Sequence, residues 1–556
     1  MPKISFDVRE LFSLLGRTLD KKLLEAILEN AKCEIEGWEG DVLTVEVTAD
    51  RPDMFSVEGL ARALKGLLGI ERGLPDYEVV KPSRQILVDR SVIRVRPYVA
   101  GLIVRNVKFT DEALAHIMQF QEKLHQTLCR DRRKASIGLY DLSKVEGNIR
   151  YLALPLNDIR FRPLESEIEM SGPEILSLTE KGRRYAHLVG ELAPLLVDSK
   201  GTVLSMPPII NSEDTKVTEE TKDIFIDATG FDYEFVSSVA ALVALNLAER
   251  AGSVEPVPTV YIDGKILSPR LEPFEIEMPI EMPSSILGMQ LEIDEMFELM
   301  ERMRLSPRLE EGKIKVKVPP YRLDVLHPVD IIEDIAIAYG YNNIEPVLPV
   351  LQTRGGELPI RKFERFLAEM MVGLGFQEIL NYMMTSPSAQ IYKMRLDESL
   401  RTRMVEVENP LSLEYSALRI WLLPCVLGFL SYNLKAPYPQ KVFEIGHIVE
   451  RDGGSETLTR QEVKMCAAIS QYAVSFEEIQ SALYALLAPL RLEPTLKPIS
   501  HSSFIEGRVA SIEVDGEDLG IIGEIHPEVL LNFGLKNPVA AFELSVEELF
   551  KVYNRK

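Results

Sequence analysis

Four acidic residues stand close together in the stretch PYRLDVLHPVDIIEDIAIAYG, residues 320–340. Asp330, Glu333 and Asp334 follow one another at i, i+3 and i+4, a spacing that puts side chains on one face of a helix. Asp324, at the end of the preceding extended run, can reach the same spot. Grouped carboxylate oxygens suit a hard divalent cation such as Mg2+. On spacing alone two readings stay open: a cation site, or acids that complement the positive end of a helix dipole. Other catalytic signatures are missing. The chain has no P-loop, GxGxxG, HExxH or GxSxG, and its seven histidines are scattered without ligand spacing.

The elements that position these acids are legible around them. Pro328 suits the first turn of a helix, Ile331, Ile332 and Ile335 face a core, and Gly340 suits the stop. Strand-like FEIEMPI, an amphipathic helix over 293–303 and alternating KIKVKV precede it, so that 265–345 forms one module. Upstream, 1–80 holds a helix over 19–30, a strand over 43–47 and an RPD turn running into a helix, with Leu60, Leu64, Leu67 and Leu68 at helical spacing. GLPDYEVVKP links it to a second module, 85–255. That module mixes β-rich runs such as IRVRPYVAGLIVRNV with helices over 111–128 and 235–251. From 355 to 556 a helix over 360–374 opens a further mixed module. The fold class expected is α+β, multidomain: an N-terminal helical and β module, an α/β module, a third module and a C-terminal one.

A chain of 556 residues is too long for one core and fits three or four domains. With 46% hydrophobic and 27% charged residues it reads as globular, not disordered or fibrous. No apolar run approaches the ~20 residues of a membrane span, and the first residues carry charges where a signal peptide is apolar. The four cysteines lie far apart with no CxxC, which suits reduced thiols in cytoplasm. The net charge of −22 argues against RNA binding by the global field; any RNA contact falls to local basic patches or is made beside a more basic partner.

Several of these segments resemble the β subunits of phenylalanyl-tRNA synthetases of the archaeal and eukaryotic type. There a D-x5-D-x2-E-[DE] pattern is the Mg2+ site shared with the α subunit, and here it falls on Asp324, Asp330, Glu333 and Asp334, followed by IAYGYNNI. RPDMFSVEGLARAL is similar to the family's N-terminal signature; its residues suit a structural role, Pro52 fixing the turn and Gly59 permitting close helix packing. NPLSLEYSALRIWLLPCVLGFL, FEIG and the EGR and GEIHPEVL elements resemble the family's catalytic-like module. Trp421 to Cys425 departs from the family's usual Ser-Leu-Leu-Pro-Gly. The resemblance implies a winged-helix-like domain at 265–345 and a degenerate class II synthetase fold at 355–556. No Arg-x-Glu pair or GxGxGxER segment binds ATP in it. Aminoacylation, with ATP as substrate, is therefore expected in a separate α chain, as an (αβ)2 tetramer acting on tRNA(Phe). The RNA- and anticodon-binding additions of bacterial β subunits do not fit this length.

The resemblance also implies an editing domain at 85–255, carried by ASIGLYDL, LSMPPIINSED and FIDATG. A hydrophobic pocket rejects an isostere that adds a hydroxyl by only ~10², so a second, hydrolytic site corrects Tyr-tRNA(Phe). No nucleophile–base pair is present, which points to a positioned water. Asn211, Ser212, Asp227 and Thr229 are the expected polar lining, with Leu204 shaping the pocket; equally, such residues cap ordinary turns. The run Arg130, Arg132, Arg133, Lys134 can steer the tRNA 3′ end or be a solvated loop. Lys181, Arg183 and Arg184 form a weaker patch. A free-standing editing hydrolase has no use for a 200-residue degenerate module, and a nucleic-acid scaffold conflicts with the charge of −22.

Overall fold

In the computed structural model, which describes residues 2–250 and 252–555, the chain forms two compact units, one reaching Leu348 and the other beginning at Pro349. Each is a mixed α/β assembly. Among the described residues no helix is long and apolar enough to cross a membrane.

The first unit opens with a three-stranded antiparallel sheet (Lys3–Asp7, Val42–Val47, Cys33–Glu39) and helices Val8–Leu15 and Lys21–Asn30. Pro52–Met54 then makes a single 3-10 turn, and Ser56 caps the helix α1 (Val57–Leu67) by accepting from the Gly59 N–H at 3.2 Å. Leu60, Leu64 and Leu67 are buried as their spacing predicts.

Two sheets follow, packed face to face. The four-stranded one contains β1 (Tyr98–Arg105), β2 (Ala135–Asp141), β3 (Ile224–Gly230) and β4 (Ser253–Val257) in the order β4-β1-β3-β2, all antiparallel. The seven-stranded one includes Ile149–Pro155, Leu192–Val197 and the hairpin Val203–Met206 to Ile210–Asn211, turned at the cis Pro207–Pro208 bond. Ile103 and Phe225 from the first meet Ile149, Leu196 and Leu204 from the second in one apolar core. The four-stranded sheet lays its other face on helices α2 (Asp111–Gln126) and α3 (Tyr233–Ala248). Along α3 an unbroken run from Val239 to Ala248 is buried, as befits a helix that is apolar all round. The expected helix end at Ala251 lies outside the described residues. The β-rich stretch 93–107 is strand only in its second part. Arg90–Arg94 is a 3-10 turn and the strand starts at Tyr98, because Pro97 has no N–H to give a ladder.

The unit closes with the sheet Phe274–Pro279, Lys313–Val318, Ser306–Glu310 and the helices Ile293–Arg302 and α4 (Pro328–Tyr339). The second unit is built on a seven-stranded sheet, antiparallel except where Gln377–Glu378 joins its edge in parallel. Helices Pro359–Gly373, Phe476–Leu487 and Val546–Asn554 cover one face, and Leu423–Tyr432 with Pro527–Asn532 the other.

Gly59 is essential to the packing of α1 in the first unit. A methyl group at Gly59 would lie 1.7 Å from the Asp53 carbonyl oxygen and 2.9 Å from Asn246 Nδ2, so α1 can pass only without a side chain. Gly59→Ala is expected to cost about 3 kcal/mol or more, because backbone must move to admit the methyl. Circular-dichroism melting should show a midpoint lowered by roughly 5 °C or more; an unchanged midpoint overturns the packing argument.

Candidate functional site

Strand β3 runs between β1 and β2, and its Asp227 lies opposite Gly101 on one side and Gly138 on the other. The glycine is required. A Cβ at Gly138 would stand 2.2 Å from Asp227 Oδ1 and 2.0 Å from Tyr140 Oη. Asp227 is 1% exposed and accepts from the Tyr140 hydroxyl at 2.5 Å; that hydroxyl also lies 2.7 Å from Ser205 Oγ. Burial pushes the Asp227 carboxyl up to about 7, against the Tyr140 hydrogen bond and the Arg96 charge, which favour ionisation. Asp227, Tyr140, Ser205, Ser136 and Asn211 line a recess of about 20 Å3, room for a single water.

A larger cavity of about 360 Å3 adjoins it, sharing Arg132, Ile137, Ile210 and Asn211 as walls. Such a volume falls within the range of small-molecule sites, ~300–1,000 Å3. Helix α2 supplies Leu114, Met118, Glu122 and His125 to it, and Lys181 stands at its side. The edge strand β2 separates the two spaces: Gly138 and Tyr140 line the recess, Leu139 lines the cavity, and Ile137 borders both.

The residues singled out by sequence divide accordingly. Asn211 and Asp227 line this space. Leu204 does not; it is wholly buried in the core between the sheets. Ser212 is buried and structural, its Oγ donating to Arg162 O at 3.2 Å and accepting from Asp214 N at 3.2 Å. Thr229 is buried beneath the recess, bonded to Arg96 Nε at 3.0 Å and paired with Ser136 Oγ at 2.9 Å. Arg132 is not a solvated cation. It turns inward, donating to Pro208 O at 3.0 Å and Ile209 O at 2.8 Å, with its guanidinium over the Tyr185 ring. Three successive left-handed residues, Arg130, Asp131 and Arg132, shape the turn that allows this. Arg130, Arg133 and Lys134 are exposed. Sequence reasoning passed over Tyr140, Ser205, Glu122 and His125. The alternation Ser136, Gly138, Tyr140 was the available signal: three small or polar residues along one face of a strand that is otherwise apolar.

The four carboxylates of the acidic run do not meet. Arg322 takes two of them: its Nη2 lies 2.6 Å from Asp324 Oδ2 and 3.0 Å from Asp334 Oδ1. Burial opposes ionisation of Asp324, yet the Arg322 charge outweighs it and holds the carboxyl down at about 2, while burial pushes Asp334 up to about 6. Asp330 caps its own helix, accepting from Leu326 N at 2.8 Å and His327 N at 2.7 Å. Glu333 points outward to Lys32 Nζ at 2.6 Å. Among the described residues no group of three or more His, Cys, Asp or Glu is placed to hold a metal ion. The buried Asp334 Oδ2 makes no hydrogen bond, although Arg322 Nη2 lies 2.9 Å away. With Arg322 seated between two of the acids, the donor set does not fit Mg2+.

Comparison with known proteins places these features. Residues 96–250 match the B3/4 domain, 276–341 the tRNA synthetase B5 domain, and 344–546 the phenylalanyl tRNA synthetase beta chain CLM domain. The phenylalanine–tRNA ligase beta subunit of Thermococcus onnurineus is 42% identical over 569 residues, covering 99% of each chain. That of Archaeoglobus fulgidus is 41% identical over 552 residues, again 99% of each. The crystal structure of an N-terminal fragment of the phenylalanyl-tRNA synthetase beta subunit from Pyrococcus horikoshii superimposes with a TM-score of 0.59 at 39% identity, covering 61% of this chain and all of the fragment. The chain therefore belongs to the phenylalanyl-tRNA synthetase beta-subunit family.

Proposed function

We propose that this chain is the β subunit of a cytoplasmic phenylalanine–tRNA ligase and that the paired cavity and recess in 85–255 are its editing site for Tyr-tRNA(Phe). The observation that carries the reading is the pairing itself: a cavity of about 360 Å3 that accepts an aminoacyl group beside a recess of about 20 Å3 that accepts one water. A ring cannot enter the recess, so the tyrosyl group occupies the cavity and the water the recess. Asp227, with its carboxyl near neutrality, takes a proton from the water as oxygen adds to the ester carbonyl carbon. The same proton returns to the ribose oxygen as the ester bond breaks, releasing tyrosine and free tRNA. Asn211, at the border of the two spaces, orients the ester. Arg130, Arg133 and Lys134 are the exposed cations left to meet the phosphates of the tRNA 3′ end.

Ligation of phenylalanine, with its ATP and Mg2+, belongs to the α chain, in an (αβ)2 assembly. The domain scheme of 1–80, 85–255, 265–345 and 355–556 belongs to the same reading, with a winged-helix-like third domain and a non-catalytic, class II-like fourth. A groove of about 870 Å3 in the second unit supports the partnership. Leu380, Tyr382, Leu413 and Tyr432 line it, and all four are more than three-quarters exposed, an apolar surface of the kind partners cover.

Co-expressed with its α chain, wild type should release Tyr from Tyr-tRNA(Phe). Asp227→Asn is expected to slow that release by about 10²-fold or more and Asn211→Ala by about 10-fold, with Phe charging retained. Retention of full Tyr release by both variants overturns this assignment.

The Asp227 proton also sets a pH dependence. Its folded value of about 7 lies above the ordinary 3.8, so the folded state keeps a proton that the unfolded state gives up. That contribution is complete below pH 4 and lost as pH rises to 7. The stability advantage of wild type over Asp227→Asn should therefore shrink by on the order of a few kcal/mol between pH 4 and 7.5. Parallel melting curves of the two proteins over that range would show it absent if the carboxyl is ionised throughout.

A further inference from the structure

Beside the RPD turn, far from the recess, buried donors outnumber their acceptors. Arg304 follows the helix Ile293–Arg302 with its backbone left-handed at φ 63°, a conformation costly for a residue that carries a side chain. The residue is 5% exposed. Its Nη2 reaches Glu71 at 3.1 Å, but Nε and Nη1 are buried with no hydrogen-bond partner. The Tyr321 hydroxyl is orphaned in the same way. Burial raises it above the ordinary phenol range, so it keeps its proton near pH 7 and can donate. Both residues line one small chamber of about 10 Å3, together with Arg51, Arg62, Asp53 and apolar side chains such as Met54. Unpaired buried donors cost free energy that folded chains recover by supplying an acceptor. Among the described residues Asp53 is the one carboxylate in the lining, and Arg51 already takes both of its oxygens. Glu249 and Glu71, which face Arg62 and Arg304, stand outside the lining.

Three guanidinium groups and one carboxylate thus border the chamber, an excess of positive charge. A water would satisfy the donors through its oxygen, yet it brings two hydrogens of its own and meets no free carboxylate to receive them. An anion accepts from every side and needs no acceptor in return. Size narrows the class further. The chamber admits about one sphere of the size of a water, which rules out phosphate, sulfate and organic carboxylates. We propose that this chamber binds a single halide ion, chloride under ordinary conditions, held by Arg304 Nε–H and Nη1–H and by the Tyr321 hydroxyl. The ion lies where four segments meet: the RPD turn with Arg51 and Asp53, α1 with Arg62, the turn at Arg304, and the chain leading into α4 with Tyr321. Packing of the first unit then depends on halide, through residues that take no part in the editing site.

The test uses the complete enzyme, assembled with its α chain. Crystals equilibrated in sodium bromide and measured at the bromine absorption edge should show an anomalous peak in contact with Arg304 and Tyr321. In solution, chloride in place of gluconate at equal ionic strength should raise the unfolding midpoint by about 3 °C. Tyr321→Phe, which keeps the ring beneath the Arg62 guanidinium, and Arg304→Met should both lose that difference. Water density in the chamber with no anomalous signal overturns the proposal. So does a chloride effect equal in wild type and Tyr321→Phe, which is then a bulk salt effect. A peak in the crystal with no chloride effect in solution means binding at crystal concentration only and overturns it as well. The bromide measurement needs wild type alone, so a variant that fails to fold does not leave the question open.

Discussion

The first unit is organised around a buried ionic lattice that no single segment could sustain. Arg51 forks onto Asp53 at 2.9 and 2.8 Å. Arg62, 1% exposed, donates to Asn246 Oδ1 at 2.8 Å and Tyr77 Oη at 3.2 Å, and its guanidinium lies 3.5 Å from the centre of the Tyr321 ring. Asn246 returns a bond to Asp53 O at 2.9 Å, and Tyr77 donates to Glu249 at 2.6 Å. Desolvating such charges costs several kcal/mol each, and removing one partner strands the other. The lattice is tolerable only when α1, α3 and the chain leading into α4 arrive together. It therefore acts as a register device: the N-terminal RPD turn is correct only if a helix almost 200 residues later presents Asn246 and Glu249.

That constraint explains why the acidic run misleads as a metal site. Asp324 and Asp334 have the right type and spacing for a cation, but the positive charge they meet is Arg322, two residues from the first of them. Helical geometry already separates the others, since Glu333 faces solvent while Asp334, its immediate neighbour, faces the core. A pattern of carboxylates specifies a need for positive charge; whether a metal or a guanidinium meets that need depends on what the fold brings alongside. In sequence, Arg322 looks no different from any other arginine.

Legibility followed the same division elsewhere. Helices were readable to within a few residues because each carries its own period and caps: Lys21–Asn30, Asp111–Gln126 and Pro359–Gly373 follow the spacing of their apolar residues. The role of Gly59 was readable too, since it stands mid-helix in an RPD segment where only a close neighbour warrants it. The candidate site was readable only as two points, Asn211 and Asp227. Its other walls come from α2, β2 and the Val203–Met206 hairpin, which meet through tertiary packing and share no local pattern. Leu204, Ser212 and Thr229 lie in the right segments but turn into the core or satisfy backbone, and strand alternation alone does not say which face of a doubly buried strand is hollow.

Burial treats two aspartates of this unit alike and then separates them by their partners. Asp334 and Asp227 both have carboxyls raised by desolvation. Asp334 has the Arg322 guanidinium at hydrogen-bond distance and is committed to that ion pair. Asp227 has a phenol and, through it, a serine: neutral groups that orient the carboxyl without fixing its charge. An acid held near neutrality by burial, beside space for one water and with no counter-ion of its own, is free to exchange a proton with what enters. The lattice thus needs its charges fixed to hold the fold, while the recess keeps a buried acid whose charge can change.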